Sequence, residues 1–429
     1  MSYQYLYLAI IAVILLLYLK RQSRIQGANT AELKDAVEKG LTEPPSLHPV
    51  VDNFRCIGSG SCAEACPEEA LGVINGKAVL LNAAACIGHG ACLAACPFDA
   101  IKLVFGTEKR GIDIPNIGPD FESNVPGIFI AGELGGMGLI RKAAEQGRQA
   151  VDAIRKKSGG QGDFDVVIVG CGPAGLSAGL SAIHHKLRYK ILEQEDSLGG
   201  AVYHYPRQKI AMTAPVVLDL IGTVKFGEVQ KEKLLAFWQD VVQKTGLQIA
   251  FRERMEEITR ENGSFVVRTD RGSYTARNVL LTMGRRGTPR KLDVPGEETH
   301  KVTYRLIDPA QYEGQFVLVV GGGDSALEAA IALSEQKDTQ VILSYRSEAF
   351  SRVKQKNRML LEQQQQAGRL KVMLKSSVKS IHEHEVIIEH GGQTQAYPND
   401  AVIVCAGGLL PTPLLQKIGI QFDTKFGAA

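Results

Sequence analysis

The chain opens on a nearly unbroken apolar run, Tyr5 to Leu19, followed by Lys20, Arg21 and Arg24. A continuous run with a basic flank predicts a transmembrane helix over residues 3–20. Fifteen residues at about 1.5 Å of rise each fall short of a hydrocarbon core of roughly 30 Å, so Tyr3, Gln4 and a snorkelling Lys20 must extend the span at its edges. Charge after the run rather than before it argues against a cleaved signal, and a helix lying in the membrane interface is the remaining alternative to a span. It predicts an outside N-terminus and a cytoplasmic remainder. Residues 21–49 read as a linker with one short helix near Ala31–Lys39, closed by the breaker-rich EPPSLHP. Further on, short fully apolar runs lead into glycine-rich turns. DVVIVG (165–170) and FVLVVG (316–321) are the two strongest and predict buried strands, each entering a helix.

Cysteine usage changes the picture. Of eight cysteines, six lie between 56 and 96, while Cys171 and Cys405 stand apart. One dense cluster in a large cysteine-sparse body points to metal ligation rather than a disulfide framework. Cys56, Cys62, Cys66 and Pro67 recur thirty residues on as Cys86, Cys92, Cys96 and Pro97, inside CIGSGSCAEACP and CIGHGACLAACP. Each copy resembles the bacterial ferredoxin run C-x2-C-x2-C-x3-C-P, whose thiolates hold iron–sulfur clusters and whose fourth Cys serves the other cluster. The resemblance implies one site of Cys56, Cys62 and Cys96 and another of Cys86, Cys92 and Cys66. Both copies depart from the family at the second Cys, where Ser59 and His89 stand. A missing thiolate there accompanies three-iron clusters in that family; alternatively Ser59 or His89 completes a four-iron cluster, and non-thiolate ligation raises the potential. The cofactors expected are therefore two clusters, [4Fe-4S] or [3Fe-4S].

The first glycine turn, Gly170, Gly172, Pro173, Ala174 and Gly175, is a GxGxxG loop that lets backbone amides at a helix start meet a pyrophosphate. The next strand ends at Glu193, placed to take a ribose hydroxyl pair, and Gly199-Gly200 follow. The second turn, Gly321, Gly323, Asp324, Ser325 and Ala326, has the GxGxxA form. Its following strand ends in Arg346, which favours a 2'-phosphate and so NADPH over NADH. The competing reading makes Arg346, Arg352, Lys354, Lys356 and Arg358 one solvated basic helix face.

Two such units, with LLTMGRRGTP between them and VIVCAGGLLPTP after the second, resemble the two-dinucleotide-binding-domain flavoproteins, in their thioredoxin-reductase-like branch. That resemblance covers roughly residues 105–429 and implies FAD on the first unit and a nicotinamide cofactor on the second. The family closes its FAD domain with a C-terminal strand ending in Gly-Asp and a helix. Here NVPGIFIAGELGGMGLIRKAAEQGRQAVDAI, Asn124–Ile154, resembles that element ahead of the first unit, with Gly132 and Glu133 in the Gly-Asp place. The expectation is a circular permutation joined through Ser158–Asp163, since exposed neighbouring termini make permutation tolerable. The fold class expected is α/β: two Rossmann-like domains behind a small α+β ferredoxin-like domain and the N-terminal transmembrane helix. The domains are then 3–20 anchor, 21–49 linker, 50–104 iron–sulfur, 105–157 closing segment, 163–285 FAD, 286–401 NAD(P) and 402–429 return to the FAD domain.

Composition excludes other classes. Hydrophobic residues at 45% and charged at 22% are those of a folded globular chain. A net charge of +3 gives no basic field for nucleic acid. The disulfide reductases of the branch carry C-x-x-C before the second nucleotide strand, whereas this chain has VTYRLIDPAQYEGQ, resembling the ferredoxin–NADP reductase relatives. The reaction expected is electron transfer from NADPH through FAD to the on-chain clusters and on to an electron carrier or membrane acceptor, with reverse flow equally compatible. No acid–base residue is singled out, because the flavin carries the chemistry. His184 and His185 read as surface residues, and Tyr203, His204 and Tyr205 as residues that either pack near the flavin loop or contact the isoalloxazine. A homodimer is compatible with the sequence. The rival functions are a flavin reductase with degenerate clusters and a non-enzymatic, membrane-anchored redox sensor.

Overall fold

The six-cysteine stretch folds as two similar turns, each leading into a short helix, together with two antiparallel strand pairs, in a computed structural model. It describes residues 2–427 apart from 39, 45–46, 109, 137, 158–159, 208, 286, 288, 352 and 410. His48–Val51 pairs with Ile101–Val104, and Leu71–Ile74 with Lys77–Leu80. The second pair turns through Asn75-Gly76, both at positive φ (52° and 72°), as a two-residue hairpin demands. Short helices Ser61–Glu64 and Ala91–Ala95 start from Gly60 and Gly90 at φ 81° and 82°. Their matched backbone is the structural form of the sequence repeat. The core is Cys56, Cys62, Leu71, Ala78, Cys92, Ala100 and Ile101, small residues and thiols in place of bulky aliphatics.

The N-terminal segment corrects an expectation. Ser2–Glu38 is one helix, yet among the described residues no helix is long and apolar enough to cross a membrane. From Tyr7 to Leu19 thirteen residues rise only about 20 Å against roughly 30 Å of hydrocarbon, and Lys20, Arg21 and Arg24 continue the same helix. The transmembrane span 3–20 and the sidedness inferred from it fall together. Residues 21–38 are not a spacer either. Asn29 Nδ2 donates to the Val73 carbonyl (3.0 Å) and Gln26 Nε2 to Asn75 Oδ1 (2.7 Å), while Ala36 packs with Leu41 and Ala84.

The chain divides into two compact units: Met1–Gly111 with Ser347–Glu362 and Lys425–Ala429, and Ile112–Arg346 with Gln363–Thr424. In the first unit, Asn82 Nδ2 donates to Gln355 Oε1 (3.3 Å) and Gly427 N–H to the Phe105 carbonyl (2.9 Å). The inserted segment and the distal residues are thus integral to the cysteine-rich body.

The two largest sheets lie in the second unit. In the first, Ile249–Ala250, Tyr189–Leu192, Phe164–Val169 and Ser273–Leu281 run parallel in that order, followed by antiparallel Ser264–Thr269 and Met255–Glu261. Ile128–Ile130 adds in parallel to Val279–Leu281. Both faces of these strands are covered, which is why their sequences are continuously apolar: Val166, Val167, Ile168, Ile128 and Leu280 are fully buried. Helices Ile140–Ile154 and Pro173–His184 pack so closely that a Cβ on Gly147 would lie 2.0 Å from the Ala174 carbonyl oxygen. The second sheet is all parallel: Val302–Thr303, Ala401–Val404, Phe316–Val320, Gln340–Tyr345 and Leu370–Leu374. Residues 402–404, expected to begin the return to the first domain, belong to this second sheet. The return comes later, where Leu415 and Ile420 enter the core around Ile128 and Val167. Of the expected junction Ser158–Asp163, residues 158 and 159 lie outside the described residues.

Candidate functional site

The first glycine loop is forced into a tight turn by its backbone contacts. Gly170 has φ +100°, and a Cβ there would lie 2.8 Å from the Thr282 carbonyl oxygen. A Cβ on Gly175 would lie 1.9 Å from the Gly170 carbonyl oxygen. No side chain fits either position, so the backbone lies bare at the start of helix Pro173–His184, which Gly172 caps and Pro173 opens. Gly199 N–H donates to the Cys171 carbonyl (2.9 Å). A Cβ on Gly200 would lie 3.1 Å from Gly172 Cα, so Gly199-Gly200 abut the loop.

Glu193 closes the far end. Its Oε2 accepts from Cys171 N–H (2.7 Å) and its Oε1 from Glu195 N–H (3.0 Å). Burial pushes its pKa up while these amides pull it down. A carboxylate offers about four lone-pair directions, so acceptor capacity remains after the two amides. Gly132 (φ +82°) reaches the same place from the segment before the first strand, where an added Cβ would lie 3.0 Å from Ala174 Cβ, and Glu133 Oε2 lies 3.7 Å from a Cβ built on Gly284. Gly132, Gly170, Gly172, Ala174, Gly175, Glu193, Gly199 and Gly200 thus lie together around the start of helix Pro173–His184.

Two contributors were not singled out in the sequence. Thr282 Oγ1 donates to the Val169 and Gly170 carbonyls (2.9 and 2.7 Å), anchoring the loop. Arg285 donates to the Asp113 carbonyl (3.0 Å) and its pKa is lowered by burial, with Glu133 and Asp113 opposing that shift. Both lie in LLTMGRRGTP, where a polar residue following an apolar strand was the available signal.

The second loop repeats the scheme. A Cβ on Gly321 would lie 2.4 Å from the Cys405 carbonyl oxygen. Gly322 lies under the Tyr345 ring, which an added Cβ would meet at 2.2 Å. Gly323 precedes helix Asp324–Ser334, on which Ser325 follows and Ala326 is fully buried. Arg346 is exposed at the end of strand Gln340–Tyr345. The basic residues after it do not form one solvated face: Arg358 is buried, donating to the Phe350 carbonyl (3.3 Å), and Arg352 lies outside the described residues.

The histidines and tyrosines near the first loop have structural partners. His185 pairs with Asp152 (3.1 Å). His204 pairs with Arg305 and lies 3.6 Å from Glu195. Lys231 sits over the Tyr203 ring and donates to the Tyr205 carbonyl.

None of the eight cysteines is joined in a disulfide. Cys56, Cys62 and Cys96 line one cavity together with Ser59, Ala78 and Ala100. Ala78 N–H donates to Cys56 Sγ (3.4 Å) and Ala100 N–H to Cys96 Sγ (3.3 Å), the amide-to-sulfur bonds that favour thiolate. Burial raises the Cys62 pKa, and the nearby Cys56 and Cys96 raise it further. Burial likewise raises Cys86, with Cys66 and Glu68 adding to it. Cys92 is pushed up to about 11 by burial, with Cys86 and Cys66 among its charged neighbours. Thiols that cost this much to ionise alone would be held as thiolates by the positive charge of a metal centre. Among the described residues no group of three or more His, Cys, Asp or Glu is arranged around a single metal ion. A cavity walled by three sulfurs and small residues suits a polynuclear cluster, whose iron atoms spread their ligands. Cys171, by contrast, is fully buried with its pKa raised by that burial.

Comparison with known proteins follows the same division. Residues 167–427 match the family model of the pyridine nucleotide-disulphide oxidoreductases, and residues 48–97 match that of the 4Fe-4S dicluster domain. The chain is similar to a ferredoxin–NADP reductase of Thermus thermophilus, 30% identical over 272 residues covering 60% of this chain and 77% of the relative. A ferredoxin–NADP reductase of Ignicoccus hospitalis is 26% identical over 270 residues, 61% of this chain and 83% of the relative. Among solved structures, the bacillithiol disulfide reductase Bdr from Bacillus cereus is 25% identical with a TM-score of 0.55, covering 61% of this chain and 82% of that one.

Proposed function

Because the chain belongs to the pyridine nucleotide-disulphide oxidoreductase family, as a ferredoxin–NADP reductase-like flavoprotein with a 4Fe-4S dicluster domain, we propose that it carries electrons between NADPH and a one-electron carrier by way of FAD and its own clusters. The observation that carries this reading is the combination on one chain of two cysteine trios and two dinucleotide loops, with no cysteine pair beside either loop. FAD supplies the exchange between hydride and single-electron chemistry, and the clusters carry single electrons.

In this reading the Gly170–Gly175 amides bind the FAD pyrophosphate at the helix start, and Glu193 accepts from ribose hydroxyls with its remaining lone pairs. Gly199-Gly200 let that cofactor lie against backbone, and Glu133 takes a hydroxyl of the flavin chain. Gly321, Gly323, Asp324, Ser325 and Ala326 cradle the nicotinamide cofactor, and exposed Arg346 binds its 2'-phosphate. Cys56, Cys62 and Cys96 hold one cluster; Cys66, Cys86 and Cys92 hold the other. Thiol–disulfide exchange is disfavoured by the buried, partnerless position of Cys171 in sequence, although the Bdr relative is a disulfide reductase.

The first dinucleotide domain is read as circularly permuted. The parallel pairing of Ile128–Ile130 with Val279–Leu281 and the packing of helix Ile140–Ile154 on Pro173–His184 support this. It comprises roughly residues 105–157, 163–285 and a return beginning near 411, with the NAD(P) domain between and the iron–sulfur domain at 50–104.

Anaerobic NADPH titration with low-temperature EPR tests the reading. Flavin bleaching accompanied by cluster reduction is expected, and Cys62→Ala should remove one cluster while leaving FAD bound. Turnover of a disulfide substrate with the clusters remaining oxidised would refute it.

A further inference from the structure

The two cysteine sites are not equivalent. At the second, the backbone of Leu47 closes over the turn: a Cβ on Gly88 would lie 2.5 Å from the Leu47 carbonyl oxygen, and Cys86 Sγ lies 3.9 Å from that oxygen. At the first, the rim residues Ile57 and Phe98 are 62% and 45% exposed. Ser59 lines this open cavity with Cys56, Cys62 and Cys96.

The course of the Ser59 loop is fixed on both sides. Gly58 is at φ +73° and approaches the hairpin turn so closely that a Cβ would meet the Gly76 carbonyl oxygen at 2.3 Å. Gly60 is at φ +81° and caps the helix carrying Cys62. Ser59 therefore stands three residues from each of two cysteines, in a cavity those cysteines share, with a hydroxyl on the Cβ where cysteine would carry a thiol.

We propose that Ser59 Oγ is the fourth protein ligand of the cluster held by Cys56, Cys62 and Cys96, making this a four-iron site with one oxygen-ligated iron. The inference rests on the iron–sulfur reading above. On binding, the Fe–Oγ bond forms and the Oγ–H bond breaks; the proton leaves to solvent through the open rim and no electron moves. Ser61 Oγ lies 3.2 Å from Ser59 Oγ, and either can donate. Once Ser59 has lost its proton, Ser61 is the donor, and this bond stabilises the oxygen's negative charge.

The test compares the full chain with Ser59→Ala and Ser59→Cys after anaerobic reconstitution, measuring iron, acid-labile sulfide and oxidised-state EPR, with FAD content as the check on folding. Ser59→Ala should lose about one iron per chain and gain the EPR signal of an oxidised three-iron cluster, which an oxidised four-iron cluster lacks. Ser59→Cys should keep the iron and show no added signal. Equal iron and equal oxidised spectra in the parent and Ser59→Ala would overturn the ligation alone. A parent with FAD but no iron would overturn the cluster reading and this proposal together.

Discussion

Gly147→Ala tests whether the segment preceding the first strand is part of the FAD domain. A Cβ at Gly147 would lie 2.0 Å from the Ala174 carbonyl oxygen, and ordinary van der Waals contact begins at 3.4 Å, so the two helices must part by about 1.4 Å. The obstacle is backbone, which cannot rotate away. Overpacking of this kind costs about 1–3 kcal/mol, and replacing a helical glycine with alanine returns about 1 kcal/mol. The net loss of up to about 2 kcal/mol lowers Tm by up to about 2 °C, at about 2.1 cal/mol/K of unfolding entropy per residue over 429 residues. Because Ala174 belongs to the phosphate loop, FAD binding should weaken about tenfold, the equivalent of about 1.4 kcal/mol. Gly179→Ala is the matched control. Its Cβ would meet Ile191 Cδ1 at 2.6 Å and Leu247 Cδ1 at 2.7 Å, side-chain ends that can yield. Flavin content and thermal melts of the two variants decide the matter. A Gly147→Ala protein as stable and as flavin-replete as Gly179→Ala would refute the packing argument.

Three further outcomes are expected. Hydrogen bonding from Arg188, opposed by burial and aided by Arg277, holds Asp165 down at about pKa 2, and its side chain is 15% exposed. A depressed carboxylate stabilises the fold above its unfolded pKa of about 4 and loses that contribution as pH falls toward 2, an effect of order 2 kcal/mol. Asp165→Asn should therefore flatten the acid limb of the melting curve, and an unchanged limb would contradict the assignment. Arg346→Glu should raise KM for NADPH about tenfold with little change for NADH; steady-state kinetics with both cofactors would expose an unaltered preference. Trp238, the single tryptophan, is buried, and its Cζ3 lies 3.5 Å from a Cβ built on Gly199. Its emission should rise when FAD is stripped, and constant emission would place the flavin elsewhere.

Elements whose identity is enforced by backbone crowding could be read directly from the residues. Gly170, Gly175 and Gly321 are glycines because carbonyl oxygens occupy the space of a side chain, and that pattern survives in a single sequence. The cysteine trios were equally visible, since ligand spacing repeats. What escaped was decided by distant partners. Residues 21–38 look like a spacer until Val73 and Asn75 meet Asn29 and Gln26. The apolar opening read as a membrane span because hydropathy registers composition, whereas crossing depends on length. Residues 402–404 carry the apolar pattern of either sheet, and only their pairing with Leu318–Val320 assigns them. Arg358 looked solvated among neighbouring cations, yet it is buried against the Phe350 carbonyl.

The composition of the cysteine-rich unit from three stretches of chain has a consequence for biosynthesis. Gly106 lies against the Lys425 carbonyl and Gly427 bonds to Phe105, yet residue 425 follows Cys96 by 329 positions, the difference of the two numbers. At about 5–20 residues per second, ~15–65 s pass between synthesis of the last clustered thiol and arrival of the segment that completes its unit. Throughout that interval the nascent chain carries six reduced cysteines without their finished enclosure. Iron loading during translation would have to act on an open cradle, so the fold favours insertion after the distal segment has docked.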